Sequence, residues 1–117
     1  MIVIFIYQLE KIIKEAGFYR RATMKKGSFR GLKTDTQQVG VLNVITTHAR
    51  VEEEVIREIV SNMVQGAELL SEALPLYHGL NLLFEELKIN GSSTFEPDGV
   101  PLHPGARSAY QSAGLLK

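Results

Sequence analysis

The chain has 117 residues, a length that suits one domain, and its 44% hydrophobic and 22% charged content is that of a folded protein rather than a disordered one. Thirteen basic residues balance thirteen acidic ones, which argues against a general attraction to nucleic acid or anionic lipid, and the absence of cysteine excludes disulfides and thiolate chemistry. No apolar run approaches the roughly 18 residues needed to span a bilayer as a helix.

Met1 to Ile6 are apolar, too few for the hydrophobic region of a signal peptide and not preceded by positive charge, so Ile2–Ile6 reads as a buried strand. An amphipathic helix follows over about Gln8 to Ala16, with Leu9, Ile12, Ile13 and Ala16 as its apolar stripe and Gly17 as its terminator. Residues 18 to 38 read as an irregular crossing segment, long for a loop, that carries Arg20, Arg21, Lys25, Lys26, Arg30 and Lys33. Such a charge run is most simply the solvated face of an extended loop, with an anion- or nucleic-acid-binding patch as the alternative. Val39 to Thr47 is an apolar, β-branched run of strand length whose continuity predicts burial on both faces.

The longest predicted element is a helix over about Val51 to Ala73, with Glu52, Glu53 and Glu54 in its first turn, where negative charge suits the macrodipole. Gly66 marks where it bends or splits, and Pro75 ends it. A further apolar helix over about Leu76 to Leu87 is broken by Asn90-Gly91-Ser92-Ser93, and a turn-rich lead over residues 90 to 103 follows. The last helix runs from about Pro104 to Ala113: Pro104 has φ pre-set for a first turn, and Gly114 can take the left-handed conformation that closes one. Ala106, Ala109, Tyr110 and Ala113 share one stripe, so small residues allow close approach to another element while Tyr110 anchors it. The fold class is therefore α/β, with two main strands, three or four helices and a terminal docking helix.

Little in this order of residues suggests catalysis. His48, His78 and His103 have no metal-ligand spacing with the Glu52–Glu54 run, no serine sits in a nucleophile motif, and no glycine-rich phosphate loop is present. No catalytic residue, metal or cofactor is assigned. His103, immediately before Pro104, is expected to cap the helix or bond a neighbouring backbone group.

Leu102-His103-Pro104-Gly105-Ala106, with Tyr110 four residues after the alanine, resembles the C-terminal signature of the TAXI family, the solute receptors associated with TRAP-type transporters. The rest of the chain is similar to that family in order. Phe18 to Gly31 resembles the family's Ile-Pro-x-Gly-x-Tyr-x-Gly stretch, with Gly27 and Gly31 retained, Phe29 in place of the tyrosine and Met24-Lys25 in place of Ile-Pro. The Val39–Thr47 strand and the acidic helix start follow as they do in the family.

The resemblance covers nearly all of this chain but only about the last third of such a two-lobed receptor. It implies a single domain over residues 1–117, comparable with the C-terminal part of a type II periplasmic-binding-protein fold. It also implies a non-enzymatic, periplasmic role: capture of a small organic acid or amino acid and its presentation to membrane transporter subunits. No enzyme motif of the related pyrimidine-precursor synthase type is found.

A carboxylate ligand requires hydroxyls, backbone amides or a guanidinium converging in a cleft. Thr46 and Thr47 at the expected strand end, and Arg20 and Arg21 in the crossing segment, are the candidates here, although strand-end threonines serve equally well as turn formers. His103, Pro104, Gly105 and Tyr110 form the structural motif. A lone piece of a two-lobed fold leaves apolar surface uncovered beside Ile2–Ile6 or Val39–Ile45, which predicts a homo-oligomer. The alternative function is a non-catalytic assembly module derived from such a receptor.

Overall fold

The computed structural model describes residues 6–96 and 99–117, which form two compact units, Met1–Val44 and Ile45–Lys117. The expected strand over Ile2–Ile6 lies outside the described residues, apart from Ile6, which opens a helix. The architecture is mixed α/β: five α-helices and one two-stranded sheet among the described residues.

In the first unit, helix α1 (Ile6–Glu15) packs against both strands of a hairpin, β1 (Tyr19–Met24) and β2 (Thr36–Val41). The 3.6-residue period puts Leu9, Ile12 and Ile13 on one side of α1, and Leu9 is completely buried. At about 25 cal/mol per Å² of apolar surface, a fully buried leucine contributes roughly 1.5–3 kcal/mol, so among the described residues Leu9, together with the buried Leu32, anchors this small unit.

The strands run antiparallel with Tyr19 opposite Val41 and Met24 opposite Thr36. Here the structure corrects the sequence reading, which took residues 18–38 as irregular. The strands were hidden because Arg, Thr and Gln replace the apolar alternation that betrays a half-buried strand. Cross-strand chemistry holds them instead: the Gln37 amide donates to the Thr23 hydroxyl at 3.0 Å, directly across the ladder.

The connection between the strands is itself built. Lys26 N–H donates to Asp35 Oδ1 and the Lys25 ammonium to Asp35 Oδ2, both at 2.9 Å. Gly27 N–H reaches the Leu32 carbonyl at 2.9 Å, and the Leu32 side chain is buried. The Lys26 backbone bond, and next the Lys25 ammonium, hold the Asp35 carboxyl below its ordinary value of 3.8.

Because the folded carboxyl titrates below the unfolded one, this clamp contributes fully above the ordinary carboxylate range and is lost as pH falls through the lowered folded value. Referenced to the intrinsic exchange rate at each pH, protection of the Lys26 amide is therefore expected to fall as pH drops through the lowered folded value, with Asp35→Asn removing most of that pH dependence. An identical acid response in Asp35→Asn and the parent chain assigns the effect to another group.

β2 stops at Val41. The expected strand over Val39–Thr47 is thus cut to its first three residues, and the rest is irregular and, beyond the half-buried Leu42, exposed, with Ile45 at 74%. An apolar run is buried on both faces only when neighbours cover both, and the sheet described has two strands.

The second unit is helical. The long helix predicted over Val51 to Ala73 is two, α2 (Glu53–Gln65) and α3 (Ala67–Ala73), divided at Gly66. Leu74 turns extended (φ −134°, ψ 121°), as the residue before a proline prefers, and a 3₁₀ turn over Pro75–Tyr77 follows. Helix α4 (Leu80–Asn90) ends at Gly91, a second 3₁₀ turn spans Ser92–Phe95, and helix α5 (Pro104–Ser112) closes the chain.

α5 docks on α2, its buried Gly105, Ala106 and Ala109 permitting close approach. Beyond it Gly114 takes φ +73°, and the Leu115 N–H bonds the Tyr110 carbonyl at 2.9 Å while the Gly114 N–H bonds that of Gln111 at 3.0 Å. These two bonds make a Schellman closure. Phe84 of α4, Phe95 of the 3₁₀ turn and Tyr110 of α5 form a ring cluster with centroids 5.5–6.4 Å apart. Burial there pushes the Tyr110 hydroxyl above its ordinary value.

Candidate functional site

A strand turns successive side chains to opposite faces, so Arg20 and Arg21, adjacent on β1, point apart and do not form a two-guanidinium fork on one ligand. Arg21 is engaged by Glu10 of α1, an ion pair that ties helix to hairpin. Arg20 is half-buried and has a partner of its own. Of the pair, Arg21 thus stands in a contact that holds the first unit together.

Thr46 and Thr47 belong to the second unit, in the exposed irregular stretch that follows β2. Their hydroxyls face solvent and make no hydrogen bond among the described residues, which leaves both donors and acceptors available. A turn closes this stretch: Val51 N–H donates to the His48 carbonyl at 3.0 Å, and Arg50 N–H to His48 Nδ1 at 3.1 Å. His48 is thereby a turn residue. Among the described residues no three His, Asp or Glu side chains converge on one point.

The best-constructed feature of the second unit is the start of α5. Here His103 Nδ1 accepts the Gly105 N–H at 3.1 Å, satisfying one orphan donor of the first turn. With Nδ1 an acceptor, the ring proton sits on Nε2, which lies 3.1 Å from the Val51 carbonyl and donates to it. One neutral imidazole therefore caps α5 and ties it to the segment leading into α2. Pro104 occupies the first helical position, where no donor is needed.

Gly105 faces α2 so closely that a Cβ on it would overlap the Glu53 carbonyl oxygen and lie 2.8 Å from the Arg57 nitrogen. Tyr110 completes the motif from the far side, within the ring cluster.

Sequence reasoning did not single out Glu96. Its Oε1 accepts from the Leu102 N–H at 3.1 Å and from the Arg107 guanidinium at 2.8 Å, and the Ser92 hydroxyl reaches its Oε2 at 3.3 Å. The carboxylate thus fixes the lead into α5 from a second direction. No periodic signal announces it, because Glu96 and Arg107 are eleven residues apart with the whole lead between them. Asp35 was missed for the same reason, its partners lying nine and ten residues back across the hairpin loop.

A model of the NMT1-like family matches residues 1–114 of the chain, which takes in the hairpin, the exposed Thr46-Thr47 stretch and the capped α5. No curated protein matches it.

Proposed function

Because the chain belongs to the NMT1-like family, a periplasmic solute-binding-like family, we propose that it serves as a non-catalytic solute-binding component, taking up a small organic acid or amino acid in the periplasm for delivery to a membrane transporter. The family match over residues 1–114 is the observation that carries this reading. The narrower form, a TAXI-type receptor working with a TRAP-type transporter, draws its support from Leu102-His103-Pro104-Gly105-Ala106 and Tyr110. In this reading Thr46 and Thr47 supply hydroxyls to the ligand, while Arg21 keeps its place against Glu10.

Thermal unfolding of the chain in the presence of small carboxylates and amino acids tests the proposal. A ligand that binds only the folded state at 100 times its Kd stabilises it by about 2.7 kcal/mol. The expected result is a reproducible rise in Tm with one ligand that is lost in Thr47→Val. Unchanged Tm across the panel overturns ligand binding by this chain and moves the weight to the second reading, an assembly module. That reading is favoured by the large apolar side chains left exposed in both units, Phe18 and Val41 in the first and Ile45, Leu69 and Leu82 in the second.

A further inference from the structure

The neutrality of the chain conceals a division. Residues 1–44 contain eight Lys and Arg against three Asp and Glu, a formal charge of +5, and residues 45–117 contain five against ten, a formal charge of −5. The boundary is that between the two compact units, so a basic hairpin unit and an acidic helical unit are joined in one molecule. Each exposes apolar side chains set among its own charges.

In the helical unit α2 contains no buried residue, and Val55 and Ile59, one turn apart, are 45% and 50% exposed. Helical spacing places Glu52 and Glu58 on either flank of that pair, and neither makes an ion pair among the described residues. In the hairpin unit the inter-strand loop presents Phe29, 42% exposed, with Lys26, Arg30 and Lys33 around it in sequence. The ammonium and guanidinium groups of those three make no ion pair among the described residues, whereas Lys25 is held by Asp35. One surface is therefore apolar with a carboxylate rim and the other apolar with a cationic rim, which is the complementarity that steers and selects partners.

We infer that the occupant of each surface is a second copy of this chain, the Phe29 loop of one copy seated on the Val55–Ile59 face of the other. The two surfaces are complementary in charge and in apolar character, and a molecule that carries both halves of a complementary pair is its own partner. Reciprocal use of the two contacts gives a closed two-fold dimer. The basic run of the hairpin is then a docking surface rather than a merely solvated loop.

The test uses the full chain and two sets of exposed charge reversals, Glu52→Lys with Glu58→Lys in one variant and Lys26→Glu with Arg30→Glu and Lys33→Glu in the other. By sedimentation, the parent chain is expected to shift with concentration from 13.0 kDa toward twice that mass. Its dissociation constant should rise on the order of tenfold when salt is raised from about 0.05 to 0.5 M, as screened ion pairs require. Each variant alone, with its circular dichroism unchanged, should associate roughly 100-fold more weakly, since like charge then meets like.

An equimolar mixture of the two variants should recover the dimer, because the unreversed hairpin of one meets the unreversed α2 of the other and the two reversed surfaces also match. A concentration-independent monomer overturns the inference. So does an association indifferent to salt and to the reversals, or a failure of the mixture to recover it. None of these readouts involves a solute, so the result stands apart from the binding test above.

Discussion

Gly105→Ala is expected to lower the thermal midpoint of the helical unit by about 10 °C or more. Viewed as a change in helix propensity alone, the substitution should stabilise, since alanine is favoured over glycine by up to about 1 kcal/mol inside a helix and by less in a first turn. The docking geometry reverses the sign. The new methyl would overlap the Glu53 carbonyl oxygen, lie 2.8 Å from the Arg57 nitrogen and sit 3.0 Å from Ile56 Cβ.

Two of those three neighbours are backbone atoms of α2, which cannot turn aside as a side chain can. α5 must move off instead, loosening Ala106 and Ala109 and drawing the His103 cap away from Val51. Overpacking of this kind costs about 1–3 kcal/mol, and rigid backbone on the other side puts this case near the upper end. Each kcal/mol is worth about 4–8 °C in a domain of 60–100 residues. Thermal unfolding followed by circular dichroism measures it, with Ala106→Gly as a control that removes a methyl without adding one. A Gly105→Ala chain as stable as its parent shows that α5 does not sit this close to α2.

Phe84→Ala should be still more damaging, with a loss of about 3–5 kcal/mol. Phe84 is buried and its ring meets both Phe95 and Tyr110, at centroid separations of 6.4 and 6.1 Å, so the substitution opens a cavity where three elements join. Leu87, one turn on along α4, has no exposure at all and lines the same helix. Beyond the lost burial, an aromatic pair contributes about 0.5–1.5 kcal/mol from its geometry.

Chemical denaturation of Phe84→Ala, Tyr110→Ala and the double variant separates the two contributions. The double variant is expected to lose less than the sum of the singles by about that coupling. Strict additivity removes the ring cluster as a cooperative unit, and a Phe84→Ala cost below about 1 kcal/mol removes Phe84 from the core.

How much of this was readable beforehand differs between the two units. In the helical unit Pro75, Asn90-Gly91, Pro104 and Gly114 all mark ends that the structure has, because proline and glycine act on φ locally and need no distant partner. Gly66 divides α2 from α3 at the position expected of it. In the hairpin and the stretch that follows it the signal failed twice in opposite ways. β1 is a strand although Tyr19-Arg-Arg-Ala-Thr-Met24 has no apolar alternation, and Leu42 to Thr47 is not a strand although its composition suits one. Strand identity depends on what lies alongside, and neither sequence segment carries that information.

The candidate ligand residues show the same divide. That Arg20 and Arg21 point apart follows from adjacency on any strand, whereas the engagement of Arg21 by Glu10 required α1 to fold back across the hairpin.

By itself, then, the sequence determined where α3, α4 and α5 end and where α5 begins, though not that α4 would start only at Leu80, after a 3₁₀ turn; it also determined which residues form the apolar stripe of α1 and that the terminal helix would have a small-residue face, since each of these rests on backbone preference or on spacing within one element. Only the tertiary structure decided which strands pair, that Asp35 and Glu96 would each gather donors from distant residues, and that Gly105 would meet the backbone of α2. Those outcomes depend on contacts between segments far apart in the chain, where the energy of a pair is set by position and not by composition.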